Sequence, residues 1–202
     1  MIDVRAVLDL HETTVARWHE REIDNPYQGF LELVCRQHQQ NFRLWHQEDI
    51  VRSPEVSNAD LAAVKRAIDK LNQQRNDLIE RLDDFLIAEL LTRGAEPRGD
   101  ARLNTETPGS VIDRLSILAL RLYHMEEQAC RSDAAEGHLA KAKARLEILH
   151  EQHRDLAGTL RELLDDLFAG RKRLKVYRQF KMYNDPTLNP YLYAAKQPTG
   201  RK

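Results

Sequence analysis

The chain is poor in the residues that mark disulfide-rich or sheet-forming proteins. Its 202 residues include two cysteines, Cys35 and Cys130, which lie far apart in sequence, so a disulfide framework is not expected. Only eight glycines are present, and no alternating apolar–polar run reaches the length of a strand. The sequence therefore predicts an all-α protein.

A long apolar run is also missing. No stretch approaches the roughly 18 uninterrupted apolar residues of a membrane helix, and charged residues interrupt the most apolar window, 111–125. The amino terminus, MIDVRAVLDLHE, has acids where a signal peptide needs a basic start and an apolar core. We therefore expect no membrane span and a cytoplasmic location.

Neither sign of charge is in excess over the whole chain. Lysine and arginine total 31 and the acids 32, for a net charge of −1, so nucleic-acid binding by the whole surface is not expected. Residues 171–181 (RKRLKVYRQFK) are nevertheless basic without an acid. With the aromatic residues that follow, they form a tail, 171–202, that we expect to pack on the rest of the chain. The alternative is a segment that stacks on bases and binds phosphate.

Helical periodicity and breaker residues predict about five helices in one domain, 1–202. Their expected bounds are roughly 3–23, 28–52, 58–92, 111–131 and 133–169, with a loop at 94–110 and an irregular tail. The fourth helix is apolar nearly all round, which predicts a central position. The fifth is very long and carries a leucine stripe, so a homo-oligomer through this helix is a further expectation.

Polar residues on the second and third helices depart from a plain amphipathic pattern. A rotation of about 100° per residue places them at the margin of the apolar stripe, where the two helices should pack. One interpretation is a salt-bridge and amide network that fixes the helix register. The other is a polar pocket that binds an anionic ligand. Its predicted binding residues are Asn41, Trp45, Arg52, Lys65, Asp69, Asn72, Arg75 and Asn76, with Lys181 from the tail.

An enzymatic alternative uses three residues of the second helix. His46 would act as an acid, and Glu48 or Asp49 as a base or metal ligand. Only His46 and Asp49, at i and i+3, share a helix face. That spacing argues against a metal site, so we expect no bound metal and no other cofactor.

Four segments carry a resemblance that spans most of residues 41–193. They are NFRLWHQED (41–49), KRAIDKLNQQRNDLIERLD (65–83), PGSVIDRLSILALRLYHM (108–125) and QFKMYNDPTLNPYLY (179–193). The chain resembles a bacterial family catalogued only as a domain of unknown function. Members of that family look like companions of glycosyltransferases in gene groups for envelope polysaccharide.

The resemblance implies a pathway rather than a reaction. The leading hypothesis is a binding or accessory protein for envelope polysaccharide synthesis. It would hold a sugar nucleotide, a phosphosugar or a partner glycosyltransferase at the pocket between the second and third helices. The competing hypothesis is a metal-dependent or acid/base hydrolase or transferase that uses His46, Glu48 and Asp49.

Overall fold

The computed structural model describes residues 2–178 and 187–188. In this part of the chain five helices carry almost all of the regular structure, which confirms the all-α prediction. They are α1 (Val4–Glu20), α2 (Gly29–Arg52), α3 (Asn58–Thr92), α4 (Pro108–Ala129) and α5 (Glu136–Phe168). Two short strands, β1 (Arg102–Leu103) and β2 (Lys172–Arg173), pair in parallel.

Side-chain caps set where most helices begin. Asp3 accepts a hydrogen bond from the backbone of Arg5 at the start of α1, and Ser57 accepts one from Asp60 at the start of α3. Thr107 caps α4 and is followed by Pro108 in the first turn, where proline's fixed φ suits a helix and its missing N–H costs nothing. The expectation that 108–110 belong to a loop was therefore wrong.

Side-chain contacts show that α1, α2 and α4 run in the same direction. His11 lies against His38 and His19 against His46, so α1 and α2 advance together. Ser116 of α4 meets His38, and a later residue of α4, His124, lies near His46. These three helices consequently bring their carboxyl-terminal halves to the same end of the bundle.

The two longest helices run the opposite way. On α3, Asp83 meets the start of α4 at Gly109, and Arg75 approaches Asp113 one turn farther along α4. On α5, His150 lies beside Glu126 near the end of α4. The sequence singled out the fifth helix as the very long one, but α3 has 35 residues and α5 has 33.

The core lies between α4 and its neighbours, as the apolar character of the fourth helix predicts. Ile112, Leu115 and Leu120 are at most 1% exposed. The second half of the α5 leucine stripe, including Leu160 and Leu163, is buried in the same core, so these leucines are already packed within one chain. None of the described helices combines the length and apolar character that crossing a membrane requires.

The end of α5 is fixed by contacts with the 94–104 connection. Gly170 has a φ of 68°, a left-handed conformation that glycine adopts without strain. Its carbonyl oxygen accepts a hydrogen bond from the Arg98 backbone N–H at 2.9 Å. Farther along, Arg178 pairs with Glu80 and Asp84 of α3. The tail therefore contacts the bundle at its first residues, and most of 179–202 lies outside the described residues.

Candidate functional site

A buried polar network joins α2 to α4. Asp113 Oδ1 accepts hydrogen bonds from Gln37 Nε2 at 2.5 Å and from Asn41 Nδ2 at 2.9 Å. Burial raises the pKa of Asp113, while the nearby Arg75 guanidinium and the two amide donors oppose that change. Because a buried carboxylate without donors would be costly, this network fixes the register of the two helices.

Asn41 extends the network. Besides Asp113, its Nδ2 donates to Ser116 Oγ at 2.8 Å, and the same oxygen lies 2.6 Å from His38 Nδ1. Both amide hydrogens of Asn41 are therefore used inside the protein, since an amide nitrogen carries two. We predicted Asn41 as a ligand-binding residue; its N–H groups hold the network together, and it also lines the cleft described next.

A cleft of about 370 Å³ opens above this network between α2, α3 and α4. We call it the arginine cleft because three arginines line it. Its lining is Asn41, Leu44, Trp45, Glu48, Arg52, Asn72, Arg75, Ile117, Leu120 and Arg121. Five of the nine predicted binding residues thus meet in one cavity, together with Glu48 from the predicted catalytic set.

The arginine cleft has an excess of positive charge. Arg75 is half-buried, with its Nε 3.7 Å from Asp113 and without a hydrogen-bond partner among the described residues. Arg52 is exposed and lies 3.4 Å from Glu48 and 3.5 Å from Asp49, so its ion pairs are loose. Arg121 forms no ion pair with any residue that the structure describes. Arg75 and Arg52 therefore have carboxylate neighbours, and the guanidinium group that lacks one among the described residues is that of Arg121.

The remaining predicted binding residues lie elsewhere. Lys65 and Asp69 pair with each other at 2.7 Å and both are exposed, because the first turns of α3 extend beyond the core and Ile68 is its first buried residue. Asn76 is half-buried outside the described lining of the cleft. Lys181 lies outside the described residues. The expected pocket is therefore smaller than predicted and centred on Arg75.

Arg121 is a cleft residue that sequence reasoning missed. In the sequence it interrupts an apolar helix, and we used it only to argue against a membrane span. A charged residue between apolar residues of a helix is itself a signal, because such a residue must either reach solvent or meet a partner. Here it reaches the cleft from the α4 side.

A second cluster, the histidine triad, lies beside the cleft. His19 of α1, His46 of α2 and His124 of α4 place one nitrogen each within 4.8 Å of one another. Their ring centroids are 5.0 Å apart for His19 and His124 and 5.2 Å apart for His19 and His46. The parallel course of the three helices brings these side chains together at one end of the bundle.

Aromatic rings and hydrogen bonds orient the triad. Tyr123 stacks on His19 with a centroid distance of 4.3 Å, and Trp45 stacks on His124 at 4.7 Å. His19 Nδ1 lies 2.7 Å from the Val15 carbonyl oxygen, and His124 Nδ1 lies 2.8 Å from Glu127 Oε2. Since both oxygens accept, each Nδ1 carries the hydrogen, and Nε2 of a neutral ring holds the free lone pair.

The predicted catalytic residues are not brought together. His46 belongs to the triad, Glu48 lines the arginine cleft, and Asp49 borders an adjacent groove with Trp45 and His124. Burial lowers the pKa of His46, and the neighbouring His19 and His124 lower it further. Residues at i and i+2 point to different sides of a helix, which explains why Glu48 is separated from His46; Asp49, at i+3, remains close enough to oppose the lowering of the His46 pKa.

Sequence reasoning considered His46 but paired it with Asp49 on its own helix. The actual neighbours come from other helices, and one signal could have indicated them. His11 and His19 are eight residues apart on α1, and His38 and His46 have the same spacing on α2. Matching intervals on two helices would place both pairs in contact if the helices ran parallel.

Comparison with known proteins gives a family without an assigned activity. No curated protein and no solved structure was found to match the chain. A family model described as "Protein of unknown function (DUF4254)" matches residues 31–176. The matched range contains α3, α4, α5, the arginine cleft and two of the three triad histidines, and it ends before the resembling segment 179–193. The chain belongs to this family of proteins of unknown function, DUF4254.

Proposed function

We propose that the protein binds an anionic small molecule, a phosphosugar or sugar nucleotide, in the arginine cleft. The observation that carries this proposal is the convergence of Arg52, Arg75 and Arg121 from three helices on one cavity with a single lining carboxylate. Guanidinium groups bind phosphate through paired, charge-assisted hydrogen bonds. Trp45 adds a flat apolar face at the edge of the same cavity, which suits a sugar or base ring.

The biological setting of this binding follows from the resemblance. An accessory protein of envelope polysaccharide synthesis would encounter phosphosugars and nucleotide sugars as substrates of its partner glycosyltransferases. The volume of about 370 Å³ lies within the range of small-molecule sites, about 300–1,000 Å³. A partner glycosyltransferase on the same face is the other form of the hypothesis, and it would leave the free protein without affinity for small anions.

Calorimetric titration tests the proposal with UDP-sugars, hexose phosphates and inorganic phosphate as probes. Arg121→Gln should weaken binding of the preferred probe by about 10- to 100-fold, because a hydrogen bond to a charged group is worth about 1.5–3 kcal/mol. Its matched control is Arg114→Gln. Arg114 is also an exposed arginine of α4 but pairs with Glu106 at 2.8 Å outside the cleft.

The control should bind like the wild-type protein, and affinity should fall with added salt. Equal loss in the two variants would show that total charge matters and the cleft does not. If no probe binds, the small-molecule proposal is wrong, and co-purification with a glycosyltransferase from the same gene group becomes the decisive experiment.

The enzymatic alternative receives less support from the geometry. His46 and Glu48 line different depressions of the described surface, while Asp49 is close enough to His46 to act on its charge, so His46 with Asp49 is the pairing that the alternative would use. An acid/base mechanism needs its groups within hydrogen-bond reach of the reacting atoms.

A further inference from the structure

The histidine triad lies at the end of the bundle where the carboxyl-terminal halves of α1, α2 and α4 meet, and each of these helices contributes one ring. We propose that His19, His46 and His124 form a binding site for a divalent transition metal such as zinc. Three imidazoles suit zinc, copper, iron or nickel better than magnesium or calcium, which prefer oxygen ligands. The expectation from sequence was no metal, because the second and third ligands come from helices that spacing on α2 alone does not reveal.

Two unpartnered nitrogens are the first argument. Nε2 of His19 and Nε2 of His124 are buried and have no hydrogen-bond partner within the described part of the chain. A buried polar atom without a partner is costly. Here both atoms belong to the same cluster, and a metal ion between the rings would satisfy them together.

The hydrogen bonds on the other side of the rings are the second argument. His19 Nδ1 donates to the Val15 carbonyl and His124 Nδ1 donates to the Glu127 carboxylate. Metal-bound histidines almost always donate their second ring N–H to a carbonyl or carboxylate, which fixes the tautomer and the ring orientation. Two of the three rings therefore already have the arrangement of ligands.

The distances between the rings are the third argument. One nitrogen from each lies within 4.8 Å of the others. Nitrogens bound to a tetrahedral zinc at about 2.0–2.1 Å are about 3.3 Å apart, so movements of about 1 Å by the ring nitrogens would close the site. Three protein ligands leave a fourth position for water or another ligand, as in zinc sites that bind an exogenous group.

The surroundings of the triad give this fourth position access to solvent. His124 borders a groove of about 550 Å³ that Trp45, Asp49 and Arg121 also line. His46 borders a different groove, with Phe42 and Arg43. A metal held between the rings would thus be reachable from outside. The proposal does not depend on ligand binding in the arginine cleft.

The competing explanation is that the rings serve only as packing for the aromatic side chains around them. The test uses tag-free full-length protein treated with chelator and then dialysed. Titration with Zn²⁺ in competition with a chromophoric chelator should show one ion per chain. Titration with Co²⁺ should give the visible absorption of a four-coordinate ion with nitrogen ligands. A protein that only packs these rings would give neither signal.

Matched variants locate the ion. His19→Ala and His46→Ala should each weaken zinc binding by more than about 100-fold, since loss of an outer partner alone costs about 10- to 100-fold. Glu127→Gln, which removes the negative charge of the His124 partner but keeps an acceptor, should weaken zinc binding less than either histidine variant. His150→Ala, a histidine of α5 outside the triad, is the control and should bind like the wild-type protein.

Loss of zinc binding must be distinguished from loss of folding in each variant. Circular dichroism reports folding, and Glu127→Gln changes an exposed residue, so it tests the site even if a histidine variant unfolds. Binding that survives the triad and Glu127 substitutions, or no binding by the wild-type protein at micromolar zinc, would overturn the proposal.

Discussion

Histidines of α1 and α2 contact each other at two levels of the bundle, which lie eight residues apart along α1, α2 and α4. The two levels, called layers here, differ in burial and in what α4 contributes. The inner layer consists of His11, His38 and Ser116, and adding eight to each number gives the histidine triad. Eight residues correspond to about 12 Å along a helix. The layers differ in one residue type, since α4 contributes Ser116 to the inner layer and His124 to the triad.

The inner layer is part of the core. His11, His38 and Ser116 are all 0% exposed, and the Ser116 hydroxyl pairs with His38 Nδ1. Burial lowers the pKa of His38 to about 3 and the pKa of His11 well below its usual value. In the triad, by contrast, the rings are only half-buried. Unpartnered ring nitrogens occur in both layers, since both His11 nitrogens and His38 Nε2 have no hydrogen-bond partner among the described residues, so the layers are distinguished by the third residue and by access to solvent.

Replacing His124 with serine, the residue that α4 contributes to the inner layer, should remove the proposed metal site. His124→Ser gives the triad the composition of the inner layer, and zinc affinity should fall by more than about 100-fold. The free energy of unfolding without metal should fall by about 1 kcal/mol, because the His124 side chain, 22% exposed, loses its stacking on Trp45. Competition titration and urea unfolding in chelator measure the two quantities. Unchanged zinc affinity would mean that His124 is not a ligand of the metal.

The two histidines of the inner layer should make the free energy of unfolding depend on pH. Its native pKa values are lowered, so the unfolded state binds more protons below about pH 6.5. Stability is fully present above that pH and is lost as the pH falls toward the native value of about 3 for His38. From pH 8 to pH 5 this ring should reduce the free energy of unfolding by about 2 kcal/mol, and His11 acts in the same direction.

The matched variant for this prediction is His38→Asn, whose amide can still meet Ser116 but does not titrate. Urea unfolding at pH 8, 6.5 and 5 should show a smaller decline for the variant than for the wild-type protein. His46 and His153 also have lowered pKa values, but both proteins contain them, so the difference reports on His38 together with its effect on the pKa of His11. Identical slopes would show that His38 is not held neutral by its burial.

The helices and part of the cleft could be predicted from sequence because both depend on local patterns. Ser57 marks the start of α3, Gly94 follows its end, and the proline after Ser53 follows the end of α2. The row of polar residues on α2 and α3 indicated Trp45, Arg52, Asn72 and Arg75. These residues lie on neighbouring helices joined by a short turn, so their proximity follows from periodicity. Lys65 and Asp69 were misplaced because periodicity gives the face of a helix but not where its neighbour ends.

The triad could not be derived in the same way. Its contacts need the direction and register of α1 relative to α2, and these helices are joined by the extended connection 21–28. Helical periodicity carries no information about the path of such a segment. The position of α4 between them likewise depends on long-range contacts, such as the hydrogen bonds that Asp113 accepts from Gln37 and Asn41.

The position of α4 matters to both layers, and Gly109 allows its first turn to approach α3 closely. Gly109 donates its N–H to Asp83 Oδ1 at 2.7 Å, and a Cβ at this position would lie 2.6 Å from the Ile79 carbonyl oxygen and 2.9 Å from Asp83 Oδ1. Gly109→Ala must push α4 away from α3, because the Ile79 backbone cannot move freely. Overpacking costs about 1–3 kcal/mol, and the better helix propensity of alanine offsets up to about 1 kcal/mol.

We therefore expect Gly109→Ala to lower the free energy of unfolding by about 1–2 kcal/mol in urea, the smallest of the three effects. Gly137→Ala is the matched control, since a Cβ there meets nothing within 4 Å and the residue lies in the first turn of α5. If α4 shifts as a rigid helix, His124 moves with it, and zinc affinity should fall together with stability. Loss of stability with full zinc affinity would show instead that the strain is absorbed within the first turn of α4, leaving Ser116 and His124 in place.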